Sequence, residues 1–431
     1  MLAIQKNFTK SFYILLSLPA TAMGFALSVQ IAALSWILNT KFGFNLEEIG
    51  FVWAAGPTAG ILGQVIIGLV SDKVWFWGGR RRPFILIGGT IAALMLLALP
   101  NIDVISEALG VEEVIGVAIA VALSLDLAIN ISFNPTRSVI ADVTKEGVVR
   151  TKGYTWMQTI SGFFGVVAYL IGAFIGNYEL IYLGAILVFL FSIIPTFFIT
   201  EPKVLDEVEE IIETAQPKGK SNIPEFLKIC LAHAFTWLGV QTMFVYSFAY
   251  IKEVIMGFGT TESLTDIQNN DIGFTIGIAF AILNTVGFIL PALVLEPITE
   301  KIGRVKTHTL CIAIMAIGYS LVIFLGQSTL SLYLLMAVIG IGWAAVVSLP
   351  FAIMSETVSQ SKMGLFMGLF NLSVVLPQLV ASNLGGYIDG QEDKSVIFII
   401  SAISLGVSAV LWLFVKESQK TKVQLSPASS H

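Results

Sequence analysis

Residues 114–140 read VIGVAIAVALSLDLAINISFNPTRSVI, an apolar stretch with one acid, Asp126, at its middle and one base, Arg137, near its end. A bilayer core of roughly 30 Å is crossed by about 20 consecutive apolar residues in a helix, so this stretch is long enough to span. An ionised side chain at that depth is costly; such residues face a bundle interior and mark an ion or substrate path. Helical geometry sets Asp126, Asn130 and Arg137 on nearly one stripe, which reads as the wall of a polar cavity.

The rest of the chain agrees. Of 431 residues 56% are hydrophobic and 12% charged, about half the charged share of a soluble domain. Apolar stretches of spanning length recur at 12–37, 49–70, 84–100, 114–140, 153–176, 179–199, 225–251, 272–295, 308–326, 330–352, 363–384 and 396–415. The expected fold class is an all-α membrane protein with twelve transmembrane helices in two six-helix halves. With both termini cytoplasmic, all but four of the 24 Lys and Arg residues collect on the inner side. Lys41, Lys252 and Lys394 fall outside and Arg137 within a span, an asymmetry that satisfies the positive-inside rule. The net charge of −5 carries no message about nucleic acid, because the basic residues serve topology.

Lys6 and Lys10 before an apolar run, then Ala20-Thr21-Ala22, imitate a signal peptide. The run continues to Trp36 and reads as a first span. Cys230 and Cys311 lie in different predicted helices without metal-ligand spacing, so both read as packing residues and no metal site is expected.

The one long polar stretch, 201–224, carries Asp206, Glu207, Glu209, Glu210 and Glu213, then Pro217, Lys218, Gly219 and Lys220. It divides the chain into an N-terminal half at 1–200, a cytoplasmic linker at 201–224, a C-terminal half at 225–415 and a cytoplasmic tail at 416–431. The halves repeat a pattern. Ser71-Asp72-Lys73 leads to Gly79-Arg80-Arg81 after the second span, and Thr299-Glu300-Lys301 leads to Gly303-Arg304 after the eighth. Residues 135–142 likewise resemble 350–356, at the ends of the fourth and tenth spans. Two related six-helix halves are what alternating-access transporters are built from, with a substrate site near the midplane.

Gly68-x-x-x-Asp72-Lys73 with the following Gly-Arg-Arg resembles the loop signature of the major facilitator superfamily, here lengthened by residues 74–78. A longer string is more specific: Trp53-x-x-Gly56-Pro57-x-x-Gly60-x-x-x-Gln64-x-x-x-Gly68-x-x-Ser71-Asp72, then Gly79-Arg80-Arg81-Arg82-Pro83-Phe84-Ile85. It resembles the second span and loop of the sucrose-transporter branch of the glycoside-pentoside-hexuronide:cation symporters. The fourth span agrees through Asp126-x-Ala128-x-Asn130, Pro135-x-Arg137 and Ala141-Asp142, and the eleventh through Gly368-Leu369-Phe370-Asn371-Leu372-x-Val374-Val375-x-Pro377-Gln378. The likeness covers nearly the whole chain and implies the major facilitator fold. One departure stands out. Where plant members carry acids before an Arg-Glu step at the end of the seventh span, this chain has Tyr246 and Tyr250 before Lys252-Glu253, so no role of those acids transfers. The short termini and the lack of a large loop resemble bacterial members.

The resemblance implies that Asp126 is the proton-coupling acid and that Arg137 serves coupling and substrate binding. Desolvation disfavours a charged carboxyl group and a nearby cation favours it, so an Asp with a movable Arg neighbour can change protonation as the site opens to each side. The plainer alternatives are a permanent structural ion pair, or an Arg137 that snorkels to the inner interface. A sugar needs amides and carboxylates for paired hydrogen bonds and an aromatic face for its C–H groups. The expected substrate-binding residues are Trp53, Gln64, Asn130, Asn134, Gln158, Gln241, Asn371 and Gln378, any of which can instead bond helix to helix. His233, within the seventh span, reads as a packing residue ahead of a proton relay.

Asp72, Lys73, Arg80, Arg81, Arg82, Asp142, Glu300 and Arg304 read as an inner latch, in which an acid at a helix end pairs with a cation or caps a helix N-terminus. Plain topology signalling by a basic cluster is the other reading. No Walker-type loop, Ser-His-Asp set or metal-ligand set supports an enzyme. The expected protein is a proton symporter importing a disaccharide or related α-glucoside, sucrose- or maltose-like, with no cofactor besides the coupling protons. It is expected to act as a monomer in the bacterial inner (plasma) membrane. An exporter or facilitator of another small solute, and a non-transporting membrane sensor, are the alternatives. Residue types do not choose among sugars, because pocket shape decides.

Overall fold

Apolar helix-forming runs dominate the computed structural model, which describes residues 9–61, 74–144, 148–201, 221–260, 262–358 and 363–417. Ten of its helices are long and apolar enough to cross a membrane, and Val396–Trp412 is a shorter apolar helix. The second expected span, 49–70, is helical over Leu46–Trp53 and again over 55–61. Its remainder lies outside the described residues, as do Gln64, Asp72, Lys73 and most of the expected linker.

The chain divides into two units, residues 1–206 with 261–281, and residues 207–260 with 282–431. The helices of the first stretch are α1 (Lys10–Thr40), α2 (Leu46–Trp53), α3 (Arg82–Ala98), α4 (Ile102–Leu109), α5 (Val114–Val143), α6 (Val148–Phe174) and α7 (Asn177–Phe198). Then come α8 (Ile223–Tyr250), α9 (Asp266–Leu290), α10 (Glu296–Ile302), α11 (Arg304–Leu325), α12 (Thr329–Ser348), α13 (Pro350–Thr357), α14 (Met363–Ser382), α15 (Gly385–Asp389) and α16 (Val396–Trp412). Local chemistry sets several ends. Asn45 and Glu48 form a reciprocal capping box at the start of α2, and Ser328 with Ser331 does the same for α12. Gly110, at φ +66°, supplies the left-handed residue that ends α4.

In the first unit α1 packs on α6 and α7, and α3 on α5 and α7. Close approach of α3 depends on two small residues: the Ser132 hydroxyl fills the space a Cβ would take at Gly88, and the Ser192 side chain does so at Gly89.

One end of this unit gathers the starts of α1 and α3 and the ends of α5 and α7 around Phe12, Ile85, Val143, Met157 and Ile199. Glu201, just beyond α7, reaches the start of α3 there. Its carboxylate accepts the backbone N–H groups of Arg80 (2.7 Å), Arg81 (2.8 Å) and Arg82 (2.7 Å). These lie among the donors that a helix start leaves without intrahelical partners, and the dipole there favours an anion. Arg81 Nε donates to Asp142 at 3.0 Å, which ties the end of α5 to the same point. Gly79 is required: a Cβ on it would lie 2.5 Å from Glu201 Oε1.

The second unit repeats the arrangement. Glu417, beyond α16, accepts the N–H groups of Arg304 (3.1 Å) and Val305 (3.0 Å) at the start of α11. The Arg304 guanidinium pairs with Glu356 at the end of α13, and a Cβ on Gly303 would lie 2.6 Å from Glu417 Oε2. The repeated Gly-Arg turn and the repeated span-end acid thus meet each other in each unit. The acids that cap these turns are Glu201 and Glu417, whereas Glu300 is exposed.

Glu201→Ala removes the acceptor for three N–H groups. Loss of a helix cap costs about 0.5–2 kcal/mol, so the thermal unfolding midpoint in detergent should fall. Gly79→Ala should lower it in the same direction by displacing the carboxylate, and Glu417→Ala should act as the twin. Unchanged midpoints in all three would show that water replaces the carboxylates without loss.

Candidate functional site

In the first unit the polar interior is built by α1, α2 with the turn after it, and α5. Asp126 is 5% exposed, and its Oδ2 accepts a hydrogen bond from Gln30 Nε2 at 3.0 Å. No basic side chain lies within ion-pair distance of it among the described residues. Gly56 faces the carboxylate: a Cβ there would lie 3.3 Å from Asp126 Oδ2, so the absence of a side chain leaves room for the acid.

Trp53 donates its indole N–H to Ser35 Oγ at 2.8 Å, which joins α2 to α1 through a buried bond. The Asn130 amide donates at 2.8 Å to the backbone carbonyl of Asp126, one turn earlier on α5. Asn134 is half-buried on the same helix, and Gln158 is exposed on α6.

Arg137 stands apart from Asp126. Eleven residues of helix separate them by about 16 Å along the axis. The guanidinium lies over the Phe133 ring, 4.1 Å from its centroid, a cation–π contact within its own helix. The amide of Gln30, on another helix, is what the fold brings to Asp126.

The second unit holds an aromatic and amide cluster. Gln378 Nε2 on α14 donates to Gln241 Oε1 on α8 at 3.1 Å, so these two expected residues meet. Trp343 on α12 donates its N–H to Asn284 Oδ1 on α9 at 3.3 Å, and its ring fills the space over Gly287. Trp237 and Phe244 meet Trp343 edge-on, with centroids at 6.1 and 5.3 Å. His233 is buried, accepts the Trp237 N–H at 2.9 Å and stacks on Phe370 at 4.8 Å, which is a packing role. Asn371 is half-buried on α14.

Trp237 and Trp343 are absent from the sequence-based expectation. Trp237 precedes Gln241 by one helical turn and therefore shares its face, a signal available in the sequence. Trp343 follows Gly342 in an otherwise apolar run and has no such marker.

Tyr246 and Tyr250 stand in the last two turns of α8. The Tyr246 hydroxyl donates to the carbonyls of Ala381 (3.2 Å) and Ser382 (2.7 Å), and that of Tyr250 to those of Val322 (3.2 Å) and Gly326 (3.0 Å). Both close helix C-termini. Next to them the Lys394 ammonium is buried among the carbonyls of Ile388, Asp389 and Gln391 and lies 3.7 Å from Glu253. Among the described residues no three His, Cys, Asp or Glu side chains are arranged to hold a metal ion.

A family model described as Major Facilitator Superfamily matches residues 16–382, and a second match covers 268–429. The chain belongs to the Major Facilitator Superfamily. Among curated relatives, the sucrose transport protein SUT5 of Oryza sativa subsp. indica is 25% identical over 455 residues, covering 90% of this chain and 84% of that protein. The sucrose transport protein SUC4 of Arabidopsis thaliana is 22% identical, covering 86% and 82%. The general alpha-glucoside permease of Schizosaccharomyces pombe is 30% identical over 237 residues, 49% of this chain and 43% of that one. Of solved structures, the inward-open xylose transporter XylE from E. coli superposes with a TM-score of 0.69 at 14% identity, covering 96% and 98%. The nucleoside transporter NupG gives 0.63 at 14%, covering 96% and 99%. This superfamily member is a multi-pass membrane transport protein and not an enzyme.

The Gln30–Asp126 bond predicts a thermodynamic coupling. A buried hydrogen bond contributes about 0.5–1.5 kcal/mol net, so Gln30→Leu should lower the unfolding midpoint in detergent. The same change on an Asp126→Leu background should cost clearly less. Equal costs on both backgrounds would show that the two side chains are energetically independent.

Proposed function

We propose that this protein imports a disaccharide or related α-glucoside together with protons. The observation that carries the reading is Asp126, an acid inside a span whose partner is a neutral amide. An ionised carboxylate there is costly, and taking up a proton removes the charge. The protonated acid is also a better sugar ligand, since it offers one O–H donor besides its acceptor oxygens. Sugar thus favours the protonated carrier, and release of the sugar favours release of the proton.

The second unit supports the same substrate class. The Trp237 and Trp343 rings offer apolar surface for the C–H faces of a sugar, and Asn284, Gln241 and Gln378 offer paired donors and acceptors. The Gln241–Gln378 bond keeps both amides oriented until hydroxyls replace it. Two plant relatives are named as sucrose transport proteins and a yeast relative as an alpha-glucoside permease, which favours glucosides over other polar solutes. Arg137, over Phe133, is proposed to engage in another state of the cycle.

The test is sugar-induced alkalinisation outside proteoliposomes. Sucrose, maltose or another α-glucoside should produce it, and its absence across such a panel would remove the symport reading. Asp126→Asn keeps the shape and an amide but cannot ionise. It should abolish concentrative uptake while preserving sugar exchange, measured as counterflow; full concentrative uptake by this variant would transfer coupling away from Asp126.

A further inference from the structure

Residues 74–79, Val-Trp-Phe-Trp-Gly-Gly, put three consecutive aromatic side chains outside any span, immediately before the arginines that start α3. They form a tight hairpin. Phe76 and Gly79 exchange both backbone hydrogen bonds at 3.2 Å, with Trp77 and Gly78 as the two connecting residues. Both connectors have positive φ, +51° for Trp77 and +77° for Gly78. Such a turn calls for Asn, Asp or Gly at each place, because a Cβ is disfavoured there. Trp77 is the one non-glycine residue with positive φ among the described residues. A bulky ring therefore sits in an unfavourable backbone conformation at the tip of a surface turn.

The ring is also outside the protein core. Trp75 and Phe76 are each 37% exposed and Trp77 is 63% exposed. Phe76 turns back onto Phe84 in the first turn of α3, with centroids at 6.0 Å, and carries Trp77 at 5.4 Å. The hairpin is thus braced against the helix through Phe76, and Trp77 is the most exposed of its three rings. Lipid-facing side chains on the helices are accounted for by the hydrocarbon they meet, but this turn lies beyond the apolar length of α3. Its level is where a span leaves the bilayer, and an indole, with an apolar body and one N–H donor, is suited to that boundary. The same end of the unit carries Lys10, Arg80 and Lys152. That charge is complementary to the phosphates of an anionic leaflet.

We propose that the 74–79 hairpin is a membrane-interface anchor, with Trp75 and Trp77 seated among the headgroups of an anionic phospholipid leaflet. The bilayer then holds the depth and rotation of the α3 start. The next three backbone N–H groups are those that bind Glu201, so the anchor adjoins the point that the carboxylate cap fixes.

The test compares full-length protein with W77N in nanodiscs of phosphatidylglycerol and phosphatidylcholine. Asn prefers the backbone conformation of this position, so the variant keeps the turn and removes the ring; Trp77→Gly serves the same purpose should the Asn variant fail to accumulate. Tryptophan emission is quenched by nitroxide lipids labelled near the headgroup and, separately, by iodide in the water. The emission lost on substitution should be the part quenched by headgroup nitroxides and shielded from iodide. Exchanging part of the phosphatidylcholine for phosphatidylglycerol should raise the thermal midpoint of the parent protein, and this rise should be lost in the variant. A Trp77 component open to iodide and untouched by lipid nitroxides would overturn the proposal and leave the turn to a protein partner.

Discussion

Each unit is closed at its basic end by one carboxylate laid across the first backbone N–H groups of a helix. Those N–H groups have no partner in their own helix, and at a membrane boundary packed with side chains water serves them poorly. Glu201 supplies the partner in the first unit and Glu417 in the second. The carboxylate can reach the N–H groups because a glycine precedes the arginine, and the arginine is then free to hold the acid at the end of another helix. One Gly-Arg turn therefore fixes three helix ends, and the turn, the acid after the last span of each half and the acid at the end of the fourth or tenth span have meaning only together.

The interiors follow a different rule. Several polar side chains within the spans bond one another or a helix end: Trp53 to Ser35, Gln241 to Gln378, Trp343 to Asn284, and two tyrosine hydroxyls to helix-end carbonyls. Such bonds orient helices at modest gain in a bilayer. Asp126 is the exception in kind. It is an acid served by an amide, so its charge is solvated by a dipole and not cancelled by a cation. That asymmetry sets Asp126 apart from the polar groups that join helix to helix.

Much of this was legible in the sequence. Hydropathy marked the apolar helices, and the repeated Gly-Arg turn and span-end acids marked the two turns that the structure pairs with acids at helix ends. The capping acids were hidden because Glu201 and Glu417 look like ordinary polar residues after a span. Their role requires knowing which helix starts beside them. Periodicity put Asp126 and Arg137 on one stripe, yet the same spacing of eleven residues sets them about 16 Å apart along the helix axis, which keeps the two groups from meeting. Trp343 was unreadable for a related reason: its neighbours in sequence are glycines and aliphatics, and its partner Asn284 belongs to another helix.

The glycine notches in α3 bear on how the first unit can move. Ser132 and Ser192 enter the helix at mid-height from either side, while Asp142 and Glu201 tie its start to the ends of the same two neighbours. Held at two heights, α3 resists sliding along α5 and α7, because sliding would force hydroxyls out of backbone-sized gaps. α5 and α7 each carry an internal proline, Pro135 and Pro195, and α1 carries Pro19. There Pro19 removes the N–H that would bond the carbonyl one turn earlier, and the hydroxyls of Ser17 and Thr21 bond back to the carbonyls of Tyr13 and Ser17 around it. Resistance to sliding is thus built into the contacts of α3, while α1, α5 and α7 each lack one backbone N–H at a proline.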